Sequence, residues 1–519
     1  RSEMSDKGIF QATADPTPRD WIALYCAMLG AFMAMLDIQI TNASLKEIQG
    51  SLSATLEEGS WISTSYLVAE IIMIPLTGWL ISLLGLRRLS LWVTSGFLIS
   101  SLLCSMAWSL NSMIAFRALQ GFTGGALIPM AFTLAVLKVP PHMRAKTMAM
   151  FALTATFAPA VGPTLGGWLT ENWSWHYIFY INIPIGLLML AGLMYSIDDE
   201  PPTWSLLKQT DYAGIVCLAI GLGCMQVFLE EGYRKDWLES DFIITLGVIS
   251  FVCMGAFIIL QLSREHPLLN LRILGDRNFG LGGVVSFMTG VGIYGTVFLV
   301  PIYLSQIHNY SPTEIGSVMM WTGLPQLLVI PLIPTLVKYV VPRVMCAFGL
   351  GLISLSCVAN SFLSPDFAGE QLTHTLVIRA MGQPFVMVTS SLIAMAYLLP
   401  KDVTSASGLY NLLRNLGGAV GIALLTTLLD NRSKTYFDYL REAIVPSNPQ
   451  VAERLSVLTE QLGSQTAALG KLSETVHQQA QIMAYNDAFM AVGIALSIAL
   501  VAVLLTRPLP VGATAAPEH

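Results

Sequence analysis

The chain of 519 residues is 54% hydrophobic and only 12% charged, with a mean hydropathy of +0.63. Because soluble domains carry about 25% charged residues, this balance excludes a soluble protein and predicts an integral membrane protein. The net charge of −6 is diffuse, and the absence of a basic face argues against a nucleic-acid partner. The apolar runs are long and continuous, which predicts membrane-spanning helices in a lipid bilayer.

Fourteen apolar runs approach or exceed the length of about 20 residues that a helix needs to cross a bilayer. In chain order we predict spans at 21–43, 59–82, 89–108, 111–137, 147–169, 177–197, 212–230, 241–262, 279–305, 313–337, 344–363, 373–399, 404–430 and 482–505. Lys and Arg concentrate in the segments on the side of the N-terminus, whereas the short loops on the other side hold only Lys46, Arg234 and Lys235. This bias places both termini in the cytoplasm.

A weak internal repeat predicts how the spans are grouped. The run from Phe116 to Gln120 resembles the run from Ile378 to Gly382, and each places an arginine near the outer end of an inward-running span. We therefore expect two homologous halves related by an axis along the membrane normal, with two inserted helices between them. The predicted units are a cytoplasmic N-terminal segment 1–20, a six-helix bundle 21–197, an inserted pair with flanking loops 198–278, five helices of a second bundle 279–430, an extracytoplasmic loop 431–481, the last transmembrane helix 482–505 and a cytoplasmic tail 506–519.

The loop 431–481 is polar, and Leu455, Leu458 and Leu462 are spaced as one face of a helix. Gly463 and Gly470 can interrupt such a helix, so we predict a short helical hairpin outside the membrane. Two interpretations of this hairpin remain open. It is either a passive cap or a docking surface for a periplasmic partner.

Two opposite charges lie at matching depth within the spans. Asp37 and Arg117 each lie about six residues, or roughly 9 Å, from the outer ends of their helices. A charge at such depth costs roughly 2.5–3.5 kcal/mol on insertion scales, so Arg117 should have a partner. A neighbouring guanidinium favours the ionised carboxylate, whereas desolvation favours the protonated one. The pair is either a proton-coupling site or a static pair that only fixes packing.

Glu70 is the second candidate for proton coupling. It lies in the middle of an apolar span with no charged neighbour in the sequence, so burial should keep it protonated much of the time. It is a second proton carrier, a hydrogen-bond donor to a substrate, or a neutral link between helices.

Further polar residues in the spans are candidates for a substrate cavity. They are Gln39, Asn42, Tyr66, Gln120, Tyr294, Tyr303, Gln306, Asn411, Arg414 and Asn415. Arg414 would bind either an anionic substrate group or an internal carboxylate or backbone carbonyls, and Arg379 has the same alternatives. A tyrosine near a helix end is more often an interface anchor. The sequence has no phosphate-binding loop, no zinc-ligand spacing and no nucleophile motif, so we expect no cofactor, no metal and no enzymatic activity.

Several motifs carry a resemblance to the major facilitator superfamily, specifically to its fourteen-span drug–proton antiporters of the EmrB/QacA type. An inner-loop motif includes Gly78, Gly85, Arg87 and Arg88, although Ser82 stands where the family usually has aspartate. Asp37 lies in a first-span motif and Arg117 in a fourth-span motif. The fifth span resembles the antiporter motif through Pro159, Gly162, Pro163, Gly166 and Gly167.

The resemblance implies the major facilitator fold, an all-α membrane protein, and export of lipophilic small molecules driven by the proton gradient. It implies that Asp37 and Arg117 take part in proton coupling and that the fifth-span motif seals a seam between the halves. It also implies a bacterial inner membrane, a periplasmic membrane-fusion adaptor and an outer-membrane channel. Export of one endogenous metabolite, lipid or siderophore is the alternative within transport. A membrane scaffold or sensor is the alternative outside it.

Overall fold

The computed structural model describes residues 16–265, 267–399, 402–445 and 447–509. Its described part holds fourteen helices long and apolar enough to cross a membrane, which confirms the predicted fold class and number of spans. In chain order, α1 to α14 are Pro18–Ala43, Trp61–Leu84, Leu86–Ser105, Leu110–Val136, Arg144–Asn172, Tyr177–Ser196, Tyr212–Glu231, Asp241–Ser263, Arg277–His308, Thr313–Leu336, Pro342–Phe362, Gly369–Met395, Ser405–Glu442 and Gln465–Leu504. Residues 1–15 and 510–519 of the predicted terminal segments lie outside the described residues.

Local sequence explains where several spans begin and bend. Thr17 and Ser109 cap α1 and α4 by accepting hydrogen bonds from the first helical turn. The least regular span is α10, which alternates short α-helical and 3₁₀ turns after Met319. Pro325, Pro331 and Pro334 explain this, because proline lacks the amide hydrogen that a continuous helix needs.

The two halves, α1–α6 and α9–α14, meet at the ends of the helices that the predicted orientation places inside. The hydroxyl of Thr133 on α4 donates to that of Ser407 on α13 at 3.1 Å. Next to it, the ring of Phe132 stacks on the ring of Tyr410, with 5.8 Å between the centroids. These contacts close the inner end, and we name the opposite end the outer face.

Of the two inserted helices, α7 lies against both halves, and α8 is the more exposed. In the most apolar 18-residue stretch of α7, 33% of the residues are buried, whereas in that of α8 only 17% are buried. On the α2 side, Gly223 of α7 faces Val68 and Ile72. Beyond the outer end of α7, Trp237 Nε1 donates to Thr427 Oγ1 of α13 at 2.9 Å. Helix α7 and the turn that follows it therefore connect α2 of one half with α13 of the other.

The outer hairpin differs in form from the predicted one. Helices α13 and α14 continue beyond the apolar spans, as far as Glu442 and from Gln465 onward, and a separate helix Pro449–Leu462 lies between them. Gly463 ends this short helix with a left-handed φ of +70°, which glycine adopts without strain. Gly470 continues within α14. The polar composition of residues 431–481 therefore does not mark where α13 ends or where α14 begins.

Candidate transport site

Asp37 of α1 and Arg117 of α4 meet in the interior of the first half. Arg117 Nη1 donates to Asp37 Oδ2 at 2.5 Å, and both side chains are 1% exposed. The other carboxylate oxygen, Oδ1, accepts from Gln120 Nε2 at 3.0 Å and from Asn182 Nδ2 at 2.8 Å. Ser101 accepts from both amides, at 2.8 and 3.2 Å. Four helices, α1, α3, α4 and α6, thus share one hydrogen-bond network.

The remaining faces of Arg117 are also occupied. Its guanidinium lies over the ring of Tyr66, with 4.4 Å between Cζ and the ring centroid, and Nη1 also donates to Gln120 Oε1 at 2.6 Å. Its Nε donates to the backbone oxygen of Ile62 at 3.4 Å. Desolvation of two ions is costly, and such dense hydrogen bonding is what compensates for it.

A central cavity of about 1120 Å³, including the space at its mouth, lies between the two halves. Its lining reaches exposed Asn42 at the outer end of α1, while the contacts around Thr133 close the inner end. The cavity is therefore open toward the end that we name the outer face and closed at the inner end. Polar side chains lie in an otherwise apolar lining, and they are Gln39, Asn42, Glu70, Gln226, Glu230, Tyr294, Gln383, Arg414 and Asn415.

Glu70 lines this cavity and is only 5% exposed. Its helix is held close to α4, since a Cβ built at Gly125 would lie 2.7 Å from the backbone oxygen of Glu70. Tyr66, which covers Arg117, lies one turn before Glu70 on α2, and Glu70 interacts electrostatically with both Arg117 and Asp37. In the described part of the chain, Glu70 has neither a hydrogen bond nor an ion pair.

The second half contributes one cation to the cavity. Arg414 donates to Asn411 Oδ1 at 2.6 Å, and its Cζ lies 5.7 Å from the ring centroid of Phe151. Tyr294 donates to Asn415 Oδ1 at 3.3 Å. Among the described residues, no carboxylate pairs with Arg414, so the internal carboxylate, one of its predicted alternatives, is not found there.

The predicted cavity residues divide into two groups. Gln39, Asn42, Tyr294, Arg414 and Asn415 line the cavity. Tyr66, Gln120, Tyr303, Gln306 and Asn411 do not, and neither do Asp37 and Arg117. Sequence position gives the depth of a residue in the membrane but not the direction in which its helix turns it.

The polar atoms of the second group explain their placement. Tyr303 donates to the backbone oxygens of Ser364 and Phe367, at 3.3 and 2.8 Å. Gln306 accepts from Tyr485 at 2.8 Å. Asn411 orients Arg414. These side chains contact partners within the second half, as Tyr66 and Gln120 contact partners within the first.

The fifth-span motif faces two partners. A Cβ built at Gly166 would lie 2.8 Å from the backbone oxygen of Ile40, so this glycine lets α5 approach α1 within the first half. Gly162 also faces α1, at Gln39. The contact with the other half comes from Thr164 and Ala160, which face Gly316 and Gly323 of α10. The predicted seam between halves therefore involves the face opposite the glycines.

The prolines and the last glycine of this motif are placed differently. Pro159 lines the cavity, Pro163 is half-buried within α5, and Gly167 is buried.

The inner-loop motif forms the turn between α2 and α3. Gly85 adopts a φ of +81°, which permits this turn, and the oxygen of Gly78 accepts from Ser82. Arg88 makes two hydrogen bonds of 3.0 Å to Asp199, and Arg87 interacts with the same carboxylate. The bond from Arg88 lowers the pKa of Asp199. Asp199 thus supplies an acid at this loop, where Ser82 replaces the family's aspartate.

Gln226 and Glu230 are cavity residues that the sequence reasoning missed. Both belong to α7, the first inserted helix. The sequence signal for Glu230 is the pair of glutamates at 230 and 231. Because the pair lies at the end of an apolar run, its position is also typical of a membrane boundary. Gln383 of α12 was also missed.

Arg379 of α12 is 1% exposed, and Nη2 donates to the backbone oxygen of Ile293 at 3.3 Å. Its Nε has no hydrogen-bond partner among the described residues. A backbone carbonyl is among the partners predicted for it, beside an internal carboxylate and an anionic substrate group.

Twelve helices in two facing halves, two helices inserted between the halves, a central cavity and a buried ion pair beside it define a secondary transporter of the major facilitator type. The Major Facilitator Superfamily profile matches residues 27–422, so the chain belongs to this family. This confirms the resemblance drawn from the motifs.

Within the superfamily the chain is related to the EmrB proteins. It is 35% identical to the "Colistin resistance protein EmrB" of Acinetobacter baumannii, over 91% of this chain and 93% of that one. It is 31% identical to the "Multidrug export protein EmrB" of Escherichia coli, over 90% and 91%. It is also 31% identical to the "Fatty acid resistance protein FarB" of Neisseria gonorrhoeae, over 94% and 96%.

Solved structures support the fold. The human organic anion transporter MFSD10 superposes with a TM-score of 0.56 at 14% identity, covering 92% of this chain and 100% of that one. A bacterial homologue of the human lysosomal transporter Spinster, in an inward-facing conformation, gives a TM-score of 0.53, also at 14% identity, over 94% and 98%.

Proposed function

We propose that this protein exports lipophilic or amphiphilic toxic compounds, including drugs, in exchange for protons by alternating access. The observation that carries the proposal is the buried Asp37–Arg117 pair next to the unpaired Glu70 of an outward-facing cavity. Protonation of Asp37 would change the net charge of the pair. Glu70 is a titratable group in the lining of the cavity that external protons would enter.

In the outward-facing state, protons enter the cavity and reach Glu70 first, because Asp37 does not line it. A proton on Asp37 would remove its negative charge and weaken the attraction to Arg117, which joins α1 to α4. The loosened network then favours the inward-facing state, where a substrate binds and the proton leaves. Coupling requires that protons and substrate bind the two states with different affinity.

The names of the relatives support export of toxic compounds, since they are a multidrug export protein, a colistin resistance protein and a fatty acid resistance protein. The apolar lining of the cavity supports lipophilic substrates.

We further propose that the protein works in the inner membrane with a periplasmic membrane-fusion adaptor and an outer-membrane channel. The outward extensions of α13 and α14, with the helix Pro449–Leu462, offer a polar surface beyond the membrane. Crosslinking from exposed positions of this hairpin tests the contact with a candidate adaptor. Crosslinks only within the hairpin would contradict it.

The decisive experiment uses purified protein in proteoliposomes with an imposed pH gradient. We expect gradient-driven movement of a lipophilic compound against the proton flow, with Asp37→Asn and Arg117→Ala abolishing it. Glu70→Gln should reduce the gradient-driven movement of the compound. It should not change exchange of the compound across the membrane when no gradient is imposed. Glu171→Gln, at the outer end of α5, is the matched control and should transport as the parent protein does.

Two outcomes would contradict the proposal. Movement of the compound in the same direction as protons indicates uptake by symport. If gradient-driven movement persists in Asp37→Asn, the carboxylate of Asp37 is not required for proton coupling.

A further inference from the structure

The inserted helix α7 supplies part of the cavity wall. Gln226 and Glu230 lie one turn apart on this helix, and both line the cavity. Gln226 Nε2 donates to Glu230 Oε1 at 3.1 Å, and Gln226 itself is 4% exposed. A buried amide therefore fixes the carboxylate near the outer end of the cavity.

Glu230 differs sharply from the next residue along the chain. Glu231 is fully buried, accepts hydrogen bonds from Ser60 and Thr64, and pairs with Arg234 at 3.2 Å. Among the described residues, Glu230 has no lysine or arginine within salt-bridge distance, and its hydrogen bond comes from Gln226. One glutamate thus joins α7 to α2. The other faces the cavity with Arg234 as a charged neighbour but without a salt bridge among the described residues.

Glu70 provides an independent second observation. It is 95% buried, lines the same cavity, and lacks a polar partner in the described part of the chain. The helices that carry the two glutamates are neighbours, because a Cβ at Gly223 of α7 would lie 3.3 Å from Ile72 Cδ1 of α2. A buried carboxylate without a partner is costly unless it is protonated or a cation binds it.

The opposite charge in the lining lies across the cavity. Arg414 belongs to α13 of the second half and hydrogen-bonds Asn411. Two carboxylates and one guanidinium leave the wall formed by α2 and α7 with acidic character. The remaining lining is mostly apolar, including Met35, Ile74 and Met387.

We propose that Glu70 and Glu230 form a subsite for the positive group of an amphiphilic organic cation, with the apolar lining holding its hydrocarbon part. The inserted helix pair is then a specificity element and not only a connection between halves. This inference rests on the proposed function and specifies its substrate class.

The test compares two ions of equal shape and opposite charge, tetraphenylphosphonium and tetraphenylborate, binding to the purified full-length protein. Glu230→Gln should raise the Kd for the cation about tenfold, equivalent to about 1.4 kcal/mol, and should not weaken binding of the anion. Glu70→Gln should act in the same direction. Gln226→Leu, which removes only the positioning amide, should give a smaller loss for the cation. Glu239→Gln, in the exposed outer turn, is the matched control and should change neither Kd.

Equal weakening of both ions by Glu230→Gln would overturn the subsite, as would parent protein that binds the anion in preference to the cation. In either case, gradient-driven export of other compounds would leave the proposed function standing. Parent protein that binds neither ion and transports no compound in the gradient assay would overturn the proposed function as well.

Discussion

Each half of the molecule contains a buried arginine at the corresponding place of the sequence repeat, and the two arginines differ in their partners. Arg117 in the first half has a carboxylate partner at 2.5 Å and further bonds to Gln120 and a backbone oxygen. Arg379, at the corresponding place of the sequence repeat, has a single backbone oxygen at 3.3 Å, and its Nε lacks a partner among the described residues.

The difference arises from the first helix of each half. Helix α1 carries Asp37, whereas α9, from Arg277 to His308, contains no aspartate or glutamate. The repeat therefore preserves the cation but not the acid. Among the described residues, the first half therefore holds a buried ion pair that the second half lacks, and the second half contributes Arg414 and Tyr294 to the cavity.

Removing Arg117 should have the largest effect on stability. Arg117→Met leaves the buried carboxylate of Asp37 without its cation, and breaking such a pair costs about 3–5 kcal/mol. Denaturant unfolding in detergent measures the free energy of unfolding. A loss below about 1 kcal/mol would show that the network reorganises around the vacant position.

The next effect concerns the close approach of α2 and α4. In Gly125→Ala, the added Cβ would meet the backbone oxygen of Glu70 at 2.7 Å, so the helices must separate. We expect a loss of about 1–3 kcal/mol, measured in the same way. Gly351→Ala is the matched control, because its Cβ would meet nothing within 4 Å. If both substitutions are equally mild, the glycine contact does not position Glu70.

Arg379→Met should have a much smaller effect than Arg117→Met, and this contrast tests the comparison itself. The substitution removes a buried nitrogen without a partner and one long hydrogen bond. We expect the free energy of unfolding to change by less than about 1 kcal/mol. A loss as large as that of Arg117→Met would mean that the second half holds a hidden counter-ion.

The smallest effect is expected at the inner loop. Arg88 lowers the pKa of Asp199, so the pair stabilises the protein where Asp199 is ionised and loses this contribution as the pH falls through the lowered pKa. Asp199→Asn should therefore slightly lower the melting temperature at neutral pH and have no effect in strong acid. A difference that grows on acidification would contradict this sign.

Sequence patterns predicted the fold well because membrane spans follow from length and apolarity alone. Depth arguments also placed Asp37 and Arg117 at one height, and their side chains are in contact. Depth does not give helix rotation. Tyr303 and Gln306, which the sequence predicts as cavity residues, therefore bond within their own half instead.

Two other features required the folded chain. Glu230 lies at the end of an apolar run, where a charged residue usually marks the membrane boundary, and only the packing of α7 against α2 turns it to the cavity. Asp199 lies more than 100 residues after Arg88, and its pairing depends on how α6 returns to the inner face.

The most direct test of proton coupling measures protons released when a substrate binds. Tetraphenylphosphonium would be added to the purified protein in weakly buffered detergent solution with a pH-sensitive dye. We predict release from the parent protein and a reduced release from both Asp37→Asn and Glu70→Gln, with Glu171→Gln releasing as much as the parent. Undiminished release from both Asp37→Asn and Glu70→Gln, with binding intact, would contradict the account.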